Sequence, residues 1–289
     1  MKEQLREVMS QFYADGVPHD MIGRAGRFPE IRNNATVIKG MRRTGKTYFT
    51  YLRMQELLAQ GIPLERLVHV NFDDDRLSAL SSENLHLLVD LHAEMFPEAA
   101  GQLCYYFLDE LQDVRGWERF ARRLVDSHRV QLCVTGSSSR MLSADIATEM
   151  RGRSVEVEIF PLSFAEYLSY NGIFREMPSL VDAPRVRGKL RKAFADYMVC
   201  GGFPDVQGLD TTTRIMLLQG YVDAVVYRDI LERHEVGSVQ SLKYVLQYLL
   251  QNFGRKVSVR AMANVLKQLS LPHDREMLGD YLAYYADAY

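Results

Sequence analysis

The stretch ATVIKG, residues 35–40, is a short β-branched run closed by glycine, and the positions after it change period. Residues 46–60 space their apolar positions as a helix does, ending at Gly61 with Pro63 just beyond. The alternation then repeats. RLVHVNF (66–72) predicts a second strand, residues 84–95 a helix stopped before Pro97, and LCYYFLDE (103–110) a third strand. That third run is almost continuously apolar, as a strand covered on both faces must be. A helix over 116–127, a strand QLCVTGS (131–137), a helix over 141–150 and a strand SVEVEIF (154–160) complete the series. Strands alternating with helices imply parallel βαβ units, right-handed crossovers and helices on both faces. The predicted fold class is α/β, a five-stranded parallel sheet with helices on both faces, and ligands are expected at the carboxyl ends of the strands.

From residue 162 the period is helical. FAEYLSYNG, KLRKAFADYMVCGGFP and RIMLLQGYVDAVVYRDILERH each suit an amphipathic helix, with a loop near 177–184. They predict a small all-α lid, in which Arg228 is read as a surface pair with Asp229 or Glu232 rather than a phosphate sensor. After residue 238 three further helical patterns follow, the second capped by Ser258 and the third starting near Asp274. They resemble a helix-turn-helix or winged-helix module. The third pattern carries Arg275 among Asp274, Glu276, Asp280 and Asp287, which opposes phosphate contact and favours a protein partner over DNA. Tyr281, Tyr284, Tyr285 and Tyr289 are expected to pack against a portion beyond the chain, or to form an association-prone patch. The predicted organisation is therefore a core of residues 1–161, a lid of 162–235 and a winged-helix-like segment of 236–289. The sequence stops inside a helical pattern, so that last segment is expected to be incomplete.

Composition narrows the class. The chain has 289 residues, with 35 Lys+Arg against 37 Asp+Glu for a net charge of −2, which is no global signature of nucleic-acid binding. Cys104, Cys133 and Cys200 lie far apart and lack metal-ligand spacing. The start is charged and amphipathic rather than leader-like, and no apolar run is long enough to span a bilayer. A cytoplasmic protein without membrane contact is expected.

The chemistry concentrates in three loops. GMRRTGKT places Gly40, Met41, Arg42, Arg43, Thr44, Gly45, Lys46, Thr47 and then Tyr48 between the first strand and its helix. Its spacing is G-x-x-x-x-G-K-T. Backbone N–H groups of such a loop wrap phosphate, Lys46 would reach the β- and γ-phosphates, and Thr47 would ligate Mg²⁺. The third strand ends in Asp109 and Glu110, where a carboxylate can hold Mg²⁺ and its neighbour can orient water. The fourth ends at Thr135 and Ser137, either of which can sense a γ-phosphate, while Ser138 and Ser139 suit a helix cap. Arg151 and Arg153 lie between the fourth helix and the fifth strand, as a solvated turn or as an arginine that stabilises transferring phosphate. Asp73 to Asp75 read as a solvated loop, and Asn71 as a weak candidate to position Glu110.

Together GMRRTGKT, NFDDDRL, YFLDELQDVRGWERFARRL, VTGSSSRML, RGRSVEVEIFPLSFAEYL, GGFPDV and YRDILER resemble an AAA-type P-loop ATPase. More narrowly, they are similar to the STAND-like bacterial and archaeal ATP-binding proteins with an AAA-like core and a C-terminal domain of unknown function. The resemblance implies Asp109 on Mg²⁺, Glu110 as catalytic carboxylate and a polar sensor after the fourth strand. It also implies an arginine finger at Arg151 or Arg153, and the fourth strand lying between the first and third. In Gly202-Phe203-Pro204 it implies a contact with the nucleotide base, chiefly from Pro204. It further implies a nuclease-like region beyond residue 289.

The leading expectation is an ATPase whose hydrolysis of Mg·ATP drives a switch between core and lid, with a homo-oligomer and a protein partner expected. The alternative is a nucleotide-gated binding module with negligible hydrolysis that presents its C-terminal helices to DNA or a protein. A phosphotransferase would need an acceptor motif that is absent, and no N-K-x-D-like stretch supports guanine.

Overall fold

The computed structural model describes residues 1–19, 21–29, 31, 33–137, 150, 152–175 and 183–288. They divide between residues 209 and 210 into two compact units. The segment 162–235 read as a lid is therefore split between them.

The first unit is built on a five-stranded sheet of order β2-β3-β4-β1-β5. Its strands are β1 (Ala35–Lys39), β2 (Leu67–Asn71), β3 (Cys104–Asp109), β4 (Val130–Gly136) and β5 (Ser154–Glu158). Every pairing is parallel. The strand predictions therefore hold to within two residues at either end, and β4 lies between β1 and β3. The central strands are buried along their length because helices cover both faces. These helices include α1 (Lys2–Asp15), α2 (Lys46–Ala59), α3 (His86–Met95) and α4 (Trp117–Asp126). Leu5, Val8 and Met9 of α1 pack with Val68, Leu88, Tyr106 and Leu124 on one side of the sheet. Phe49, Met54 and Leu57 of α2 pack with Ile38, Phe107 and Cys133 on the other. The buried, unpaired Cys104 and Cys133 thus serve as core.

Two helices follow β5 in this unit, α5 (Phe164–Tyr170) and α6 (Pro184–Cys200). Ser163 and Glu166 form a reciprocal capping box at the start of α5, a signal present in the sequence as S-x-x-E. The GGFP stretch closes back onto the residue before that cap. Leu162 N donates to Gly202 O at 2.6 Å, and a Cβ on Gly202 would lie 2.3 Å from Leu162 O, so only glycine fits. The helix expected over 141–150 falls outside the described residues except at Met150, as do Ser138 and Ser139.

The second unit is helical. It comprises α7 (Thr211–Ala224), which runs into a π-helical turn Val225–Leu231, then α8 (Val239–Gln251), α9 (Val259–Gln268) and α10 (Arg275–Ala288). Ser258 caps α9 as expected, accepting from Ala261 N. The described residues after 236 contain no strand, so nothing there forms the wing of a winged helix. The tyrosine expectation is corrected. Tyr281 and Tyr285, one turn apart on α10, are 2% and 8% exposed. Tyr281 accepts from Ser238 N, and Tyr285 donates to Leu242 O at 2.8 Å. They are core groups whose hydroxyls are satisfied internally. Tyr284 stacks on His234 at 3.9 Å, and Tyr289 lies outside the described residues. The buried Asp229 pairs with Arg233 at 3.4 Å rather than with Arg228.

Candidate functional site

Three strand ends meet at the carboxyl edge of the sheet. β1 turns sharply into its loop at Gly40, whose φ is 155° and whose added Cβ would lie 2.3 Å from Ile159 O. A side chain there would wedge the loop off the exit of β5. The loop is tied internally. Thr44 Oγ1 donates to Met41 O at 2.9 Å, and Lys46 Nζ donates to the same carbonyl at 3.2 Å. Arg43 adopts a left-handed backbone (φ 67°), and its exposed side chain pairs at 3.4 Å with Asp205, the neighbour of Pro204. Arg42 and Met41 are half-buried, and Tyr48 is 58% exposed with its ring edge-on to Tyr51.

The carboxylates come to the same place. Asp109 is 2% exposed and accepts from Thr47 Oγ1 at 2.6 Å, and Thr135 Oγ1 donates to its other oxygen. Burial raises its carboxyl above the ordinary 3.8, against the Thr135 and Thr47 donors that pull it down. Glu110 follows in a left-handed conformation (φ 52°, ψ 37°), which costs a non-glycine residue about 1 kcal/mol or more. Its N–H donates to Thr135 Oγ1 at 3.1 Å, so one hydroxyl fixes both acids. Its carboxylate accepts from Gln112 and lies 3.6 Å from Lys46 Nζ. Burial lowers the Lys46 pKa, while Glu110 and Asp109 act against that shift.

Thr135 and Ser137 separate here. Thr135 is committed to the acids, whereas Ser137 is 1% exposed and its Oγ has no hydrogen-bond partner. An orphaned buried hydroxyl at a strand end calls for a group to satisfy it. Asn71 instead accepts from Asp73 N in a local turn, and Asp74 caps and pairs with Arg76, so neither addresses Glu110.

Arg153 sits elsewhere. It precedes β5, whose Ser154 is in register with Ala35 at the start of β1. That is the amino edge, roughly 15 Å of strand from the phosphate loop. Its guanidinium pairs with Asp126 at the end of α4. Arg153 therefore lies away from the carboxyl edge where ligands are expected, because a residue entering a parallel strand lies opposite one leaving it. Arg151 lies outside the described residues.

Two groups that sequence reasoning missed are Arg24 and Glu166. Arg24 contacts Thr44 O, Phe160 O and Glu166. Arg24 stands in an aperiodic, glycine-containing segment before β1 that gives no local signal. Glu166 stands in an S-x-x-E pattern, which signals no more than a helix start.

The residues fit a magnesium–nucleotide complex. A glycine-bounded loop at a helix N-terminus, a threonine hydroxyl sharing its bond with a buried aspartate, and a partnerless serine hydroxyl form a donor set for a phosphate and a hard cation. The parallel sheet and this edge define a P-loop nucleotide-binding fold.

Residues 32–168 match the AAA domain family (AAA_14), and residues 191–289 match a domain of unknown function (DUF8612). The chain joins these two domains. It is 32% identical over 261 residues to an uncharacterized protein of Methanocaldococcus jannaschii, covering 90% of this chain and 56% of that one. It is 30% identical over 247 residues to an uncharacterized protein of Haemophilus influenzae, covering 85% and 58%. The chain thus spans little more than half the length of these relatives. Among solved structures it is similar to the Aeropyrum pernix Orc1 protein in complex with DNA, at 15% identity and TM-score 0.38, covering 99% of this chain and 82% of that one. It is also similar to AMPPCP-bound DnaA from Aquifex aeolicus, at 15% identity and TM-score 0.35, covering 97% and 86%. Among the described residues no helix is long and apolar enough to cross a membrane.

Proposed function

We propose that this protein binds ATP with Mg²⁺ at the carboxyl edge of its sheet and hydrolyses it to drive a switch between the AAA core and the helical segments that follow. The observation that carries the reading is the Thr47–Asp109 bond of 2.6 Å, which joins the phosphate loop to the acid pair. On this reading Thr47 and Asp109 hold Mg²⁺, which supplies Lewis-acid neutralisation of phosphate charge. Lys46 and the loop N–H groups take the phosphates, Glu110 orients the attacking water, Ser137 senses the γ-phosphate and Pro204 meets the base. Arg153, at the opposite edge, acts on phosphate only if a neighbouring copy carries it there, and Arg151 is proposed for the same role. A homo-oligomer is proposed on that ground, and a protein partner is favoured over DNA by the acidic residues of α10.

A second reading, a nucleotide-gated module that hydrolyses negligibly, draws support from Glu110 itself. In this structure Glu110 is engaged by Lys46 and Gln112 and is not free to act as a base. Phosphate release from Mg·ATP across a protein concentration series, beside E110Q, decides between them. Release that vanishes in E110Q supports the ATPase, and specific activity that rises with concentration supports a finger between subunits. Equal release from both proteins supports the module. Unchanged ATP affinity in K46A would refute the phosphate-loop assignment altogether.

A further inference from the structure

Arg24 makes an arrangement that the P-loop motif does not account for. Its side chain is only 10% exposed, and each of its three nitrogens addresses a different segment. Nη1 donates to Thr44 O of the phosphate loop at 3.1 Å. Nη2 donates to Phe160 O at the exit of β5 at 2.5 Å. Nε lies 2.9 Å from Glu166 Oε1, an ion pair by proximity rather than a hydrogen bond, since the buried Nε–H is not aimed at the carboxylate, which is 11% exposed. Glu166 is fixed in turn. Its Oε1 accepts from Ala25 N at 2.9 Å, and its Oε2 accepts from Ser163 N at 2.8 Å. Ser163 Oγ completes the capping box by accepting from Glu166 N at 3.3 Å. A planar fork with donors in fixed directions can reach two separated carbonyls while its charge faces a carboxylate, whereas an ammonium is a point charge.

The consequence for the loop follows from peptide geometry. No peptide bond among the described residues is cis, so the Thr44 carbonyl and the Gly45 N–H lie in one plane and point in opposite directions. Arg24 holds that carbonyl. The Gly45 N–H is thereby turned to the other side, and Gly45 leads directly into α2 with φ 93°. Loop N–H groups that face inward before a ligand arrives cost no reorganisation when it binds.

We infer that Arg24, oriented by Glu166, is a positioning residue that fixes the Thr44–Gly45 peptide of the phosphate loop for the phosphates of a nucleotide. This rests on the phosphate-loop reading proposed above. It also makes the pair a direct mechanical link between that loop and the start of α5, since Glu166 belongs to the first turn of α5.

The test is Mg·ATP affinity by titration, at a temperature where each protein is folded, for wild type, R24M, R24K, E166Q and K46A, with a melting curve for each apo protein. R24M should bind ATP at least tenfold more weakly. E166Q, which keeps the shape of the pair and removes its charge, should show a smaller loss of about threefold. R24K should fall between wild type and R24M, because one ammonium cannot serve all three partners. An R24A protein, measured alongside, should bind as weakly as R24M and recover part of the affinity on addition of methylguanidinium. A merely structural role would lower the melting temperature of R24M and leave affinity at wild-type strength, and that result would overturn the inference. R24K and E166Q carry the same test should R24M give no soluble protein. K46A separates the two readings. Loss of binding in K46A with wild-type affinity in R24M and R24K sinks the role of Arg24 alone, whereas unchanged binding in K46A sinks the phosphate loop with it.

Discussion

Thr135→Val removes one hydroxyl and almost no volume, and the structure says what that should cost. The residue is 2% exposed, donates to Asp109 and accepts from Glu110 N at 3.1 Å. A hydrogen bond to a charged acceptor contributes about 1.5–3 kcal/mol, and a buried N–H left without a partner costs about 1–3 kcal/mol. The two losses share one site and overlap, so the expected destabilisation is about 2–4 kcal/mol. For a unit of this size that lowers Tm by about 5–15 °C. The pH dependence identifies the cause. Removing a donor to the Asp109 carboxylate pushes its folded pKa further above its ordinary value. The stability of wild type over T135V is therefore greatest at alkaline pH and shrinks as pH falls through the elevated Asp109 range. Paired melts over a series from pH 8 down to pH 3 measure both quantities, and T135S, which keeps the hydroxyl, should recover most of the loss. A T135V protein that melts with wild type at pH 8 would refute the reasoning. So would a loss that stays the same size down to the acid end of the series, since it would remove Asp109 from the account. On the proposed reading T135V also slows phosphate release at least tenfold, because both acids lose their common anchor.

Three other substitutions probe separate links. E110Q frees Lys46 from its partner at 3.6 Å, so Mg·ATP should bind about three- to tenfold more tightly while phosphate release stops; weaker binding in a titration would contradict the competition. In D109N the titrating carboxyl is gone. Burial raises the folded pKa of Asp109 above 3.8, so it adds stability below that value and loses it as pH rises through the folded pKa. Chemical denaturation from pH 4 to 8 should therefore show wild type losing ground to D109N as pH rises, and a flat difference would count against a buried carboxyl. Y285F removes the bond to Leu242 O and should cost about 1 kcal/mol in the second unit with ATP affinity unchanged; an unshifted urea midpoint would mean that the hydroxyl is not a core group.

Much of the first unit was legible because period and punctuation agree there. A β-branched run ending on glycine, as β1 does, can only hand over to a helix in a few ways, and the buried strand β3 reads as an almost unbroken apolar run. The phosphate loop was legible as spacing, and Asp109 as the one acid that ends an otherwise apolar strand. What spacing cannot carry is the long-range placement of single polar groups. Arg24 contacts Phe160 and Glu166 across 136 and 142 positions, and nothing local distinguishes it from Arg27 or Arg32. Thr135 lies in β4 and Ser137 just beyond its end, and only the fold shows that the first is spent on Asp109. The tyrosines of α10 were misread for a related reason. A Tyr-rich helix looks the same whether it covers its own unit or awaits another, and only the packing of α10 against Ser238 and Leu242 decides.

The charges at the sheet edge are balanced before any nucleotide arrives, and that balance determines what binding must do. Lys46, 5% exposed, is shared between Glu110 at 3.6 Å and Met41 O at 3.2 Å. Arg43 makes a pair with Asp205, 63% and 45% exposed. The second contact is worth well under ~1 kcal/mol and is no lock. The first is shielded from water, so breaking it without a replacement anion would leave a buried charge unpaired and cost several kcal/mol. Triphosphate is such a replacement, whereas thermal opening is not. On the proposed reading Lys46 therefore leaves Glu110 only when phosphate takes it, and Glu110 becomes free to orient water at that moment and no earlier. The same ion pair that makes Glu110 look unavailable makes its release conditional on the substrate, and a resting site built this way restrains hydrolysis until the loop is filled.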